Sequence, residues 1–193
     1  MATPIIGHRR TTRANMIEES LVEYNIPLTS VRDNDGNVIN STGGTGIFAT
    51  TSYNAWVGSA YIVGVVADGT TRTSTLMFEF VLPPEYIAGA DVQLVVNAHY
   101  IDEDGTVGTR TIDMLAYEMS TAAVASAIRT TSTQNFTATA ADYTFSDITT
   151  TNLVPGDKIL FAVRMILQDS GGSDGDQLTS RINSIRVLLD IKG

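Results

Sequence analysis

A chain of 193 residues with 43% hydrophobic and 17% charged residues is long enough for one domain with a sizeable core. That balance excludes a disordered polymer, and no run approaches the roughly 18 apolar residues of a membrane span. A net charge of −9 argues against a broad nucleic-acid surface, and the absence of cysteine removes disulfides, thiol catalysis and thiolate metal sites together.

The opening stretch, "MATPIIGHRRTTRANM", has no apolar centre of the kind a secretory signal carries, so synthesis in a cytoplasm is expected. Arg9, Arg10 and Arg13, with His8 beside them, precede the first acidic residue, Glu18. A basic terminus on an acidic body reads either as an arm that meets something negative or as a solvated tail. Residues 1–45 continue with scattered apolar positions, a proline, and an Asn/Asp/Gly turn running into "STGGTG". This composition predicts an extended arm and linker, followed by a β domain over residues 46–193.

From Phe48 onward the pattern is that of strands, rich in Thr, Val, Ile, Phe and Tyr. "TLMFEFVL" puts Leu76, Phe78, Phe80 and Leu82 on one face, with Glu79 outward. "DVQLVVNAHY" does the same with Val92, Leu94, Val96, Ala98 and Tyr100, leaving Gln93, Asn97 and His99 on the other side. Further along, "KILFAVRMIL" aligns Ile159, Phe161, Val163, Met165 and Leu167, and the final "SIRVLLDIK" aligns Ile185, Val187, Leu189 and Ile191. Stripes of period two belong to sheets with one buried face. Between these runs, "DEDG" predicts a hairpin around Asp104 and Gly105, and "STAAVASAIRT" predicts a short helix capped by Ser120 or Thr121.

Two phrases repeat a single move. In "FEFVLPPEYIAGADVQLVV", Pro83 and Pro84 end a ladder and Gly89 lets the backbone re-enter the sheet; in "LVPGDKILFAV", Pro155 and Gly156 do so again. Two such corners suit a chain that crosses twice between facing sheets. Together with roughly seven to nine strands, they predict an all-β, two-sheet antiparallel sandwich of jelly-roll type.

Chemistry is sparse. With two histidines, His8 and His99, no zinc ligand set and no Ser-His-acid triad can be assembled, and no catalytic residue, cofactor or metal site is assigned. "DNDGN" begins like a calcium loop, but Gly44 stands where the bidentate Glu belongs. The acidic loop from Asp169 to Asp176 offers oxygen ligands, while Asp-Gly pairs equally serve as turns. Trp56, Tyr53 and Tyr61 could form the aromatic platform of a sugar-binding module.

The corner phrases carry a family resemblance. "F-x-F-x-L-P-x-x-Y-x-x-G" followed by an alternating strand, a later "L-x-P-G-D" phrase, and the closing "INSIRVLLDI" resemble the jelly-roll head decoration (cement) proteins of tailed bacteriophages. The likeness covers residues 75–191, and the first 45 residues carry no matching motif. It implies a non-enzymatic virion protein on the capsid surface, commonly a homotrimer, that binds the major capsid protein and bridges capsomers, without nucleic-acid or membrane contacts. On this reading the capsid-contact candidates are Arg9, Arg10, Arg13, Leu21, Tyr24 and Ile26, with residues 21–31 able to add a strand to a partner's sheet. The alternatives are a fibre or receptor-binding virion component on the same fold, and a carbohydrate-binding β-sandwich module.

Overall fold

Alternation decides which faces meet. The computed structural model describes residues 21–33, 49–51, 61–66, 71–101, 107–119, 126–129, 133–170 and 178–192. In chain order the strands are β1 (Leu21–Ile26), β2 (Arg32–Asp33), β3 (Ala49–Thr51), β4 (Tyr61–Val66), β5 (Thr71–Val81) and β6 (Val92–Ile101). They continue with β7 (Val107–Met119), β8 (Ser126–Arg129), β9 (Gln134–Asn135), β10 (Ala141–Phe145), β11 (Lys158–Asp169) and β12 (Leu178–Asp190). One six-stranded sheet runs β10-β6-β12-β4-β3 with β1 beside β12, and the other runs β2-β5-β11-β7-β8 with β9 beside β7. Every pairing is antiparallel.

From β4 onward the chain changes sheet at each connection except those joining β7, β8 and β9. The order β4-β12-β6-β10 facing β5-β11-β7-β8 is the winding of a jelly roll. The core is the set of inward stripes read from the sequence: Leu76 and Phe78 on β5, Val92 to Tyr100 on β6, Ile159 to Leu167 on β11, and Ile185 to Leu189 on β12 are buried at alternate positions. Phe78 of β5 stacks on Phe161 of β11 with ring centres 5.2 Å apart, and Tyr100 meets Phe136 edge-on at 5.7 Å.

The two corners form one structure. Residues between β5 and β6, and those between β10 and β11, both cross from sheet to sheet at the same end of the sandwich, and they hydrogen-bond to each other. The Leu82 amide donates to the Asp157 carbonyl (2.9 Å), the Gly156 amide to the Leu82 carbonyl (2.9 Å), and the Gly89 amide to the Leu153 carbonyl (3.0 Å). Gly89 at φ +75° and Gly156 at φ +92° supply the left-handed torsions these turns require.

Three expectations are corrected. The hairpin expected around Asp104 and Gly105 falls outside the described residues; the strands on either side of it, β6 and β7, lie in opposite sheets and do not pair with each other. Turn chemistry marks a reversal without saying which strands it connects. The expected helix ends as strand, because Ser126–Arg129 pairs with β7; residues 120–125 lie outside the described set. The supposed arm over residues 1–45 contains sandwich strands. β1 pairs with β12 from Leu21↔Asp190 to Ile26↔Ile185, a 3-10 turn (Leu28–Ser30) follows, and β2 pairs with β5. This strap passes from one sheet to the other and closes the open side of the sandwich, with Val31 fully buried.

Candidate functional site

The two outward faces differ in chemistry. On the β6–β12 face, polar side chains bond to one another. Arg186 holds Glu23 at 3.3 Å and Asp142 at 2.5 Å, Asn97 donates to Asp142 at 2.7 Å, and Asn183 reaches Asn97 at 2.8 Å and His99 Nδ1 at 3.2 Å. The Asn97 hydrogen bond, followed by Arg186, holds the Asp142 carboxyl below its usual range. Burial first, then Arg181, pushes the His99 pKa down. These side chains pair largely with one another, while Arg186 Nε is buried without a hydrogen-bond partner.

The outward face of β5, β11 and β7 grades from apolar to polar. Register sets its rows: Val81, Lys158 and Met119 lie across from one another at the corner end, then Glu79, Leu160 and Tyr117, then Met77, Ala162 and Leu115. The next row is Thr75, Arg164 and Asp113, where Arg164 donates to Asp113 Oδ2 at 2.5 Å. Beyond it threonines flank Ile166, and Gln168 accepts from the Thr109 hydroxyl at 3.0 Å. Asp113 is 2% exposed and its Oδ1 has no hydrogen-bond partner, so a buried carboxylate oxygen closes the apolar half of this face.

Beside β5 lies a groove of about 480 Å³ lined by Ser30, Arg32, Met77, Phe78, Glu79 and Leu160. The strap positions Arg32, whose Nη1 donates to the Thr29 and Val31 carbonyls at 3.1 Å each. The large hydrophobic side chains that stand exposed among the described residues are Leu21, Val81, Met119 and Val154. All of them sit at the corner end: Leu21 opposite Asp190 at the close of β12, Val81 and Met119 flanking the first residue of β11, and Val154 in the second corner.

The sequence candidates fare unevenly. Leu21 is exposed at this end, but Tyr24 and Ile26 lie opposite the inward residues Val187 and Ile185 and pack against the core, Tyr24 edge-on to Phe80 at 5.7 Å. They are structural, and the strand they belong to completes its own sheet instead of a partner's. Arg9, Arg10 and Arg13 lie outside the described residues, as do Tyr53, Trp56 and most of the loop from Asp169 to Asp176. Among the described residues no group of three or more His, Asp or Glu side chains could hold a metal ion, and no helix is long and apolar enough to cross a membrane. Sequence reasoning missed the graded face, because its members come together only through register across three strands.

No family model matches the chain, and no curated protein matches it. Solved structures similar to it include a CBM22-1 xylan-binding domain of Xyn10C from Paenibacillus barcinonensis (7% identity, 90% of this chain and 97% of that one, TM-score 0.46). Another is the xylan-binding module CBM15 (15% identity, 90% of this chain and 100% of that one, TM-score 0.45). A third is the enzymatically active domain of tailspike protein 4 from bacteriophage CBA120 (13% identity, 84% of this chain but 20% of that one, TM-score 0.43). The class that this chain's own pairings define is an all-β jelly-roll sandwich.

Proposed function

We propose that this chain is a non-catalytic attachment module that docks on a protein shell through the corner end of its β5–β11–β7 face. The observation that carries this reading is the placing of exposed large hydrophobics, Val81 and Met119 on this sheet and Val154 in the second corner, at one end of the molecule, with Leu21 at the same end of the other sheet. Singly scattered apolar side chains need no explanation, whereas exposed ones gathered at one end and interspersed with charged groups, Lys158 between Val81 and Met119 and Glu79 in the next row, suit a protein partner. On the expectation raised by the corner phrases, the partner would be the major capsid protein of a virion, met by copies of this chain arranged as a trimer and made in the host cytoplasm; the buried residues of those phrases would not themselves touch it.

A second reading, a carbohydrate-binding module, is favoured by the groove, where Arg32 and Glu79 stand beside an apolar floor at Leu160 and Met77. A sugar ring needs such a combination of an apolar face and polar anchors. Quantifying this chain against the major shell protein in purified particles from its source separates the two. A copy number comparable with that of the shell protein supports attachment. Absence from particles, with binding of the isolated chain to a glycan array, overturns it in favour of the sugar.

A further inference from the structure

The apolar half of the docking face is small. Three strands by three rows cover on the order of 300 Å², against the roughly 800 Å² per partner of a stable interface. Another contact is needed, and β5 offers one. β2 covers the outer edge of this long strand only at Met77 and Leu76. The direction of the main-chain groups along β5 follows from the Leu82 amide, which donates to Asp157 on the β11 side. Because that direction alternates, Phe80 and Phe78 also bond toward β11, while Val81, Glu79 and Met77 turn their N–H and C=O groups to the outer edge. Arg32 lies opposite Met77. Just before it the chain leaves the edge: Val31 turns into the core and the 3-10 turn (Leu28–Ser30) carries the strap away. Glu79 and Val81 therefore face the edge with no strand partner among the described residues, and the groove lined by Ser30, Arg32, Met77 and Glu79 lies alongside.

We propose that this lane takes an extended segment of a partner protein by strand addition, antiparallel to β5 and in line with β2. The proposal rests on the protein-docking reading and adds how the partner is held. The added strand would make about four main-chain hydrogen bonds, two each with Glu79 and Val81. Its side chains opposite these residues fall on the same outward face. Cross-strand pairing selects an apolar residue against Val81 and, two positions later, a lysine or arginine against the Glu79 carboxylate. The partner's strand would thereby extend the apolar face sideways beyond β5.

The test uses amide hydrogen exchange by NMR on the full chain, with the peptide acetyl-Thr-Val-Thr-Lys-Thr-amide as probe. Its control is the same peptide N-methylated at Val and Lys. In the free protein the Glu79 and Val81 amides are expected to exchange at least about tenfold faster than those of Phe78 and Phe80. Millimolar peptide should slow them by roughly tenfold, and the control should not. Glu79→Pro removes an edge N–H without touching the bonds to β11, so it should fold and lose the peptide effect. Glu79 and Val81 amides already protected in the free protein would overturn the proposal, and so would equal effects of both peptides or full peptide binding by the proline variant. The docking reading is judged apart from this, by attachment of Leu160→Asp to purified particles. Lost attachment together with Glu79 and Val81 amides that the peptide does not slow leaves the face and removes the strand, whereas retained attachment removes both.

Discussion

Arg129 and Asp147 should show a strongly non-additive relation. The Arg129 side chain is 1% exposed on β8, while that of Asp147, at the entrance to the second corner, is 58% exposed. Nε donates to Asp147 Oδ1 at 2.7 Å, and Nη2 lies equally close to the same oxygen but off the line of a hydrogen bond, so it contributes an ion-pair contact only. Nη1 donates to the Met114 carbonyl, and the guanidinium carbon sits 4.9 Å above the Phe145 ring. Asp147→Ala leaves a buried cation with a single carbonyl and a ring for company, and breaking a buried pair in this way costs about 3 kcal/mol or more. Arg129→Met removes the cation, and water takes up the exposed carboxylate. What remains is the unpaired Met114 carbonyl and the lost ring contact, about 2–3 kcal/mol together. In the Arg129→Met background, Asp147→Ala then removes only a solvated surface group and should cost less than about 0.5 kcal/mol. A urea double-mutant cycle read by circular dichroism measures this, and a 3 kcal/mol loss corresponds to a Tm about 6–12 °C lower for a chain of this size. Equal costs of Asp147→Ala in both backgrounds would refute the reasoning, because the carboxylate would then not be what neutralises the buried guanidinium.

Val81→Asp and Met119→Glu should each cost less than about 1 kcal/mol of stability, since Val81 is 51% and Met119 37% exposed and neither belongs to the core, while lowering particle attachment at least about tenfold in a pelleting assay. Gly156→Ala meets no atom within 4 Å, so its cost is backbone strain alone, about 1 kcal/mol from the φ of +92°, checked by urea midpoints. Tyr86, fully buried with its hydroxyl donating to the Ala90 carbonyl, has its pKa pushed up to about 12 by burial and then by Asp190, Asp91 and Asp157; an absorbance titration should show one phenol lagging the others. His99 is held below its ordinary pKa, so the unfolded chain binds the proton more readily. Stability should be fully present above pH 6.5 and fall as the pH drops through that value toward the lower folded one, and His99→Gln should flatten that part of a stability–pH curve.

The long strands were legible because each buries one face against the other sheet. Val92, Leu94, Val96, Ala98 and Tyr100 alternate without interruption, and all are buried. β1 had the same signal in miniature, with Val22, Tyr24 and Ile26 at alternate positions opposite Leu189, Val187 and Ile185. Six residues before a proline, surrounded by polar turns, gave too short a period to distinguish a strand from an arm. β8 read as helix because alanine favours helices locally. Its strand state is imposed from a distance by pairing with β7, by burial of Ile128, and by the Arg129 contacts to Met114 and Asp147. The docking face was illegible for a different reason. Leu160, Tyr117 and Glu79 each look like the ordinary outward residue of an amphipathic strand, and only the register of β11 against β5 and β7 makes them neighbours.

The corner phrase occurs twice because jelly-roll winding brings the β5–β6 and β10–β11 crossings to one end, where each satisfies the other's main chain. Each crossing must stop a ladder and turn through a left-handed residue, so proline and glycine recur for the same mechanical reason. The residues that carry the family resemblance are therefore mostly those that build the end: Phe78, Leu82, Tyr86, Gly89, Leu153 and Gly156 are buried or conformationally required. The residues that would touch a partner, Val81, Glu79, Leu160, Met119 and Tyr117, lie between or beyond these motif positions and point the other way. A chain could keep every motif residue and change its partner by changing these alone. The corner residues thus speak for this chain's own architecture, and the identity of a partner depends on the outward face, where charge reversal at Glu79 and Lys158 should alter which surface is bound without altering the fold.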